Sequence, residues 1–232
     1  MVQVNNNSPI TLRVKFYKTG NLQYISHLDL VRTMMKVIVR AKLPLWYTEG
    51  FNPKPKITFA APLSIGTESM CEFMDVRLTE KIDVSLVMKK INENMTDEMQ
   101  ATDVYYPNEK LTTLKWLGYE IVVNSDSIDD TTLEKCEKMF SLEKLVVLKK
   151  TKSGENEVDI KPLIKNATVD IKNGKLFVSC ILSADSAQFL NPEYIIKLLR
   201  DNVGVLSSEN LLKENYSITR TTAYKENMSV FR

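Results

Sequence analysis

Between Leu12 and Lys42 the hydrophobic pattern changes from a period of two to one of about 3.6 residues, and this strand-then-helix change constrains the fold more than anything else in the chain. Leu12, Val14 and Phe16 alternate with Arg13, Lys15 and Tyr17, the pattern of a half-buried strand. Thr19-Gly20-Asn21 then turns the chain. Ser26 to Lys42 reads as a helix, with Ser26 as N-cap, Asp29 completing a Ser-x-x-acid capping pattern and Pro44 ending it. At about 100° per residue, Leu28, Val31, Met34, Met35, Ile38 and Ala41 share one face, with Asp29, Arg32, Lys36 and Arg40 in a narrow band on the other side.

The alternation continues. Leu45–Thr48 and Ile57–Ala61 are short strands on either side of the Gly50–Lys56 loop, and Pro62–Gly66 turns again. Cys71–Leu78 is a strand, Val84–Ile91 a helix capped by Asp83, and Ala101–Tyr106 a strand ended by Pro107. If Leu45–Ala61 counts as one interrupted strand, the order is β-α-β-β-α-β, the ferredoxin-like split βαβ arrangement. The second half follows the same order, with strands at Tyr119–Asn124, Lys144–Lys150, Val158–Ile164, Lys175–Leu182 and Tyr216–Tyr224. Its helices are Thr131–Phe140 and a segment starting at Pro192, capped by Asn191 and ending at Arg200. A polar turn is expected at Ser153-Gly154, and Asn173-Gly174 is a hairpin signal. This half has one strand more than a strict repeat needs. The reading is an α+β chain of two tandem ferredoxin-like (βαββαβ) halves with antiparallel sheets, residues 1–110 and 111–232, joined near Lys110–Leu117. The polar, asparagine-rich residues before Ile10 are expected to fray.

With 44% hydrophobic and 26% charged residues among 232, the chain has ample material for a core without a metal or disulfide. A net charge of +2 leaves any polyanion-binding surface to local patches. Three widely spaced cysteines, Cys71, Cys136 and Cys180, form no CxxC pair and are expected as free, buried thiols in a reducing cytoplasm. The first residues lack the basic start and apolar run of a signal peptide, and no stretch reaches the roughly 20 apolar residues of a membrane span.

His27 is the sole histidine and so the obvious general acid or base. Helical geometry points it toward the apolar face, which favours a ring packed on the sheet and bonded to backbone. With no Ser, Cys or carboxylate partner identified it makes no triad, and it builds no metal site without further ligands. The band of Arg32, Lys36 and Arg40 is the usual solvated face of an amphipathic helix. It gains interest because Lys54 and Lys56 follow in a loop beside Trp46, Tyr47 and Phe51, and basic residues interleaved with aromatics bind nucleic-acid strands by charge and stacking. That loop is stiff: Gly50 permits a positive φ, while Pro53 and Pro55 fix theirs. It presents Asn52, Lys54 and Lys56 at little entropic cost, or it is a plain irregular connection. The aromatics, Phe51 among them, stack on a strand or belong to the core. It is not a GxxxxGK[ST] or GxGxxG phosphate cradle. Asp159, Lys161, Arg200 and Arg220 read as surface or ion-pair residues.

YISHLDLVRTMMKVIVRAKLPLWYTEGFNPKPKITFAAPLSIG, residues 24–66, closely resembles the radical-SAM-linked protein family, a bacterial domain found beside or fused behind a radical SAM protein. The SHLDL helix start, the basic helix ending at Arg40, the GFNPKPKI loop and the APLSIG turn carry the likeness. VDIKPLI and NPEYIIKLL add to it more weakly. The resemblance implies an accessory role to a separately encoded radical SAM enzyme, with RNA as the substrate, and no established catalytic residues or cofactor. This chain lacks a CxxxCxxC cluster motif and is therefore not the radical enzyme itself.

Three functions compete. The leading one is a non-catalytic module that binds or presents RNA through a continuous basic surface of Arg32, Lys36, Arg40, Lys54 and Lys56. The second is an endoribonuclease-like enzyme using an exposed His27 near Tyr24 or a lysine. The third is a protein-binding subunit with a large exposed apolar patch.

Overall fold

The first period-two segment forms strand β1 (Ile10–Lys18), whose Leu12, Val14 and Phe16 are fully buried. The structure, a computed structural model, describes residues 8–151, 154–208 and 213–232. They divide into two units, residues 8–113 with Arg232, and Leu114–Phe231. The first residues expected to fray, and Ser153 of the polar turn, lie outside the described residues.

In the first unit β1 is followed by α1 (His27–Arg40), β2 (Ile57–Phe59), β3 (Thr67–Leu78), α2 (Val84–Asn92) and β4 (Ala101–Tyr105). The strands lie in the order β4-β1-β3-β2, every neighbour antiparallel. The capping chemistry sits where the sequence puts it. Ser26 Oγ accepts from Asp29 N, and Asp83 Oδ1 accepts from Leu86 N at 2.8 Å. Both helices pack on one sheet face, where Leu30, Met34, Val37 and Ile38 of α1 and Val87 and Ile91 of α2 meet Leu12, Val14, Phe16, Met74, Val76 and Leu78. The buried stripe of α1 is rotated from the expected one: Leu28 is exposed and Leu30 and Val37 are buried. Several stripes on α1 are apolar enough to pack, and contact with the sheet selects one of them.

The interrupted strand is real. Leu45 bridges Leu78, Trp46 N donates to Arg77 O, and Arg77 N donates to Lys56 O. The edge beside β3 is thus started by 45–46 and resumed by 56–59. Residues 47–55 leave as an arm whose neck is closed by Lys56 N to Trp46 O at 2.9 Å.

The second unit holds β5 (Leu114–Asn124), α3 (Thr132–Ser141), β6 (Val146–Thr151), β7 (Gly154–Asp159), β8 (Ile164–Lys172), β9 (Lys175–Ser183), α4 (Glu193–Val203) and β10 (Asn215–Lys225). Its antiparallel sheet runs β10-β5-β9-β8, with β6 and β7 paired as a separate hairpin. That hairpin adds two strands to the four of the sheet, six among the described residues where five were expected, and β8 is the strand that was not anticipated. The division between the two units falls between Thr113 and Leu114, where β5 begins. One sequence expectation is corrected. Val158–Ile164 is not one strand: Pro162 lacks the N–H that a ladder needs, and a 3-10 turn at Lys161–Leu163 separates β7 from β8. Asn173 and Gly174, at φ of 51° and 71°, make the hairpin turn between β8 and β9.

Candidate binding surface

The arm is built from its neck outward. Tyr47 bridges Pro55, Thr48 N donates to Lys54 O at 2.8 Å, and Lys54 N donates to Thr48 Oγ1 at 3.0 Å. Gly50 at the tip has φ of 116°, a conformation that strains any residue with a Cβ. Phe51 beside it is fully exposed, and Tyr47, Asn52, Lys54 and Lys56 are exposed too. Pro55 is buried, which anchors the returning limb.

Arg32, Lys36 and Arg40 are all exposed on the outer side of α1. Arg32 is paired with Asp29 at 3.3 Å, an exposed pair of little energetic weight. Lys36, Arg40, Lys54 and Lys56 have no ion-pair partner among the described residues. The expected continuous basic surface is not formed. Ile57 and Phe59 of β2 pack toward α1, so strand alternation turns Lys56 and Thr58 to the opposite face of the sheet. The sheet itself separates Lys56 from the α1 band.

His27 is half-buried at the start of α1, its ring edge-on to Phe59 with centroids 5.4 Å apart. Phe59 in turn meets Phe16 edge-on at 6.4 Å. The expected packing on the sheet is present, and the partner is an aromatic ring where a backbone group was expected. Tyr24 is 65% exposed and turned to solvent.

The face opposite the helices holds what the sequence reading missed. Antiparallel register sets Thr11 across from Arg77, Arg13 across from Asp75, and Thr58 across from Asp75 on the other side. Arg13 has no exposed surface; it donates from Nε to Asp75 Oδ1 at 2.7 Å, from Nη2 to Asp75 Oδ2 at 3.0 Å, and from Nη2 to Glu109 O at 2.9 Å. Burial opposes the Arg13 charge, yet the bonds to Asp75 outweigh it and hold its pKa above the ordinary value. The Glu109 contact ties residues 107–112 over the sheet and leaves a cleft of about 400 Å³ lined by Thr11, Thr58, Arg77, Asn108 and Lys110 among others. Arg13 reads in sequence as a solvent-facing alternate of β1. Its burial comes from a segment distant in the chain, so no local pattern signals it.

In the second unit Arg220 is likewise buried, not a surface residue. It lies over the Tyr119 ring and donates to Tyr119 Oη at 3.3 Å from Nη2. Arg200 is exposed and bonds Leu206 O, and Asp159 Oδ1 accepts from the Leu145 and Lys161 N–H groups. Cys71, Cys136 and Cys180 are free and buried. Among the described residues, no His, Cys, Asp or Glu group is placed to hold a metal ion, and no helix is long and apolar enough to cross a membrane.

No curated protein matches the chain. Among solved structures it is similar to a chain of the crystal structure of a Cbf5-Nop10-Gar1 complex, at 11% identity and a TM-score of 0.50, over 93% of this chain and 50% of that one. It is also similar to a chain of an H/ACA RNP bound to a substrate RNA containing 2'-deoxyuridine, at 9% identity and a TM-score of 0.48, over 95% and 50% of the two chains. The chain spans about half the length of these neighbours. At such identity the first likeness is one of fold alone. A family model matches residues 11–192, well over half of the sequence, and the chain belongs to that family, described as "Uncharacterized protein conserved in bacteria (DUF2344)".

Proposed function

We propose that the chain is an accessory, non-catalytic module that holds single-stranded RNA on the arm at 47–55 and presents it to a radical SAM enzyme on a separate chain. The observation that carries the binding reading is Phe51, an aromatic side chain left fully exposed at the tip of a hydrogen-bonded, proline-stiffened arm. An apolar ring in that position gains about 1–3 kcal/mol by stacking on a base. Asn52 and the unpaired Lys54 stand beside it to meet a base edge and a phosphate. Because the arm is already ordered, little conformational entropy is lost on binding.

The radical SAM partner rests on the sequence resemblance at residues 24–66, which includes the arm. On this reading each unit is a ferredoxin-like half. The order β4-β1-β3-β2 over a β-α-β-β-α-β chain supports that for the first, and β10-β5-β9-β8 with an inserted β6–β7 hairpin supports it for the second. His27 then supports α1 through Phe59 and performs no acid–base step.

Fluorescence anisotropy with a labelled, unstructured RNA oligomer tests the binding part. Phe51→Ala combined with Lys54→Ala is expected to weaken binding by at least about tenfold with unchanged thermal stability. Unchanged affinity in that variant would sink the arm as the RNA site. Pull-down with the chain as bait tests the partner. Recovery of an iron–sulfur protein supports it, and recovery of none removes it.

A further inference from the structure

We infer that the cleft between β1, β2, β3 and residues 107–112 binds a phosphate group. The site is independent of the arm reading and stands or falls separately from it.

Arg77 is half-buried at the cleft floor and has no carboxylate partner among the described residues. Its Nη1 donates to Thr11 Oγ1 across the β1–β3 register, which orients the guanidinium and leaves other N–H groups free. Two acids also line the cleft: Asp75, which gives both oxygens to Arg13, and Glu109, whose Oε2 faces the uncharged Thr113 hydroxyl at 3.1 Å. The remaining lining is donor-rich: the Thr58 hydroxyl on the floor, and the Asn108 amide and Lys110 ammonium from the overlying segment. Lys56 adds a further cation on the same side of the edge strand as Thr58.

A partly desolvated guanidinium without a counter-charge favours an anion. Donors arriving from the floor and from the overlying segment suit an anion with oxygens in several directions, and an Arg fork with a lysine beside it is the common way proteins hold phosphate. At about 400 Å³ the cleft falls within the range of small-ligand sites and exceeds what one phosphate fills, so the phosphate is part of a larger molecule. That molecule is either a mononucleotide-sized ester or an RNA strand whose phosphodiester enters the cleft.

The experiment uses the full chain. Calorimetric titration with inorganic phosphate and with a mononucleotide reads the small-molecule source, and anisotropy with the RNA oligomer reads the other. Each is run on the natural chain, on Arg77→Lys and on Thr58→Val, with folding checked by circular dichroism. Binding of any probe that weakens about tenfold or more in Arg77→Lys and less in Thr58→Val supports the site and identifies its source. Binding lost in Phe51→Ala but unchanged in Arg77→Lys overturns the cleft while leaving the arm intact. Absence of saturable binding of every probe up to about 10 mM also overturns it.

Discussion

Arg13 and Asp75 face each other across β1 and β3 as a two-pronged ion pair, Nε to Oδ1 at 2.7 Å and Nη2 to Oδ2 at 3.0 Å, with Arg13 wholly buried. The remaining Nη1 donates to Arg232 O at 3.3 Å. Removing one partner strands the other's charge in a site where water cannot replace it. Asp75→Asn is expected to lower unfolding free energy by about 3–5 kcal/mol, measured by urea denaturation. The double change Arg13→Met, Asp75→Leu should recover a large part of that loss. A double variant as unstable as the single one would show that the pair contributes through more than charge compensation.

The N-terminus of α1 depends on Ser26, whose Oγ accepts from Asp29 N at 3.1 Å and donates to Asp29 Oδ2 at 2.7 Å. Ser26→Ala is expected to cost about 1 kcal/mol in stability, readable as a lower thermal midpoint. Ser26→Asp retains a cap oxygen but sets a second carboxylate beside Asp29, so it should recover less than Ser26→Asn does.

Asp129 caps α3. Its Oδ1 accepts from Thr131 N, Thr131 Oγ1 and Thr132 Oγ1, while its own N–H donates to Thr132 Oγ1 at 2.9 Å. The threonine hydroxyls, first Thr131 and then Thr132, hold its carboxyl at about 2. A carboxyl lowered on folding binds protons more readily unfolded, so its contribution is fully present above the ordinary carboxylate range of about 4. It is lost as pH falls from there toward 2. The Asp129→Asn variant should therefore show a shallower loss of stability over that window. Parallel pH–stability curves for the two proteins would contradict this.

Burial pushes the Cys180 thiol up to about 12 and the Cys136 thiol up to about 11, the latter with help from the Glu137 charge. Both should resist iodoacetamide at neutral pH in the native protein and react within minutes in urea. Mass spectrometry of alkylated peptides reads this directly. Rapid native labelling of Cys180 would show that the second unit opens far more readily than its packing implies.

The unpaired cations on the two sides of the first sheet make separable contributions to polyanion binding. If RNA lies on the arm, Lys54→Ala with Lys56→Ala should reduce the slope of log affinity against log salt by about 0.7 for each phosphate that is no longer neutralised. Lys36→Ala with Arg40→Ala should leave that slope unchanged. Equal reductions from both pairs would place the strand across α1 as well.

Much of the fold is legible in the sequence because its signals are local. The capping oxygens of Ser26 and Asp83 lie three residues from the N–H groups they serve, and the Asn173-Gly174 turn carries its own positive φ angles. The neck of the arm could also be anticipated, since short strands at Leu45–Thr48 and Ile57–Ala61 read as one interrupted edge. The face of α1 was less legible: Leu28 fits the helical pattern as well as Leu30 does, and only the position of the sheet decides between them.

By itself, the sequence determined the order of helices and strands, where most of them start and stop, and the presence of a stiff loop carrying Phe51, Asn52 and Lys54. Those depend on periodicity and on backbone chemistry within a few residues. Tertiary structure alone decided which side chains share a surface. Strand alternation sent Lys56 to the face opposite α1, and antiparallel register set Arg77 beside Thr11 and Arg13 beside Asp75. Glu109, 96 residues along the chain from Arg13, converted an apparent solvent-facing arginine into a buried tie beneath a cleft. The physical reason is that burial of a strand's second face is set by what folds over it, and that partner leaves no mark on the strand's own pattern.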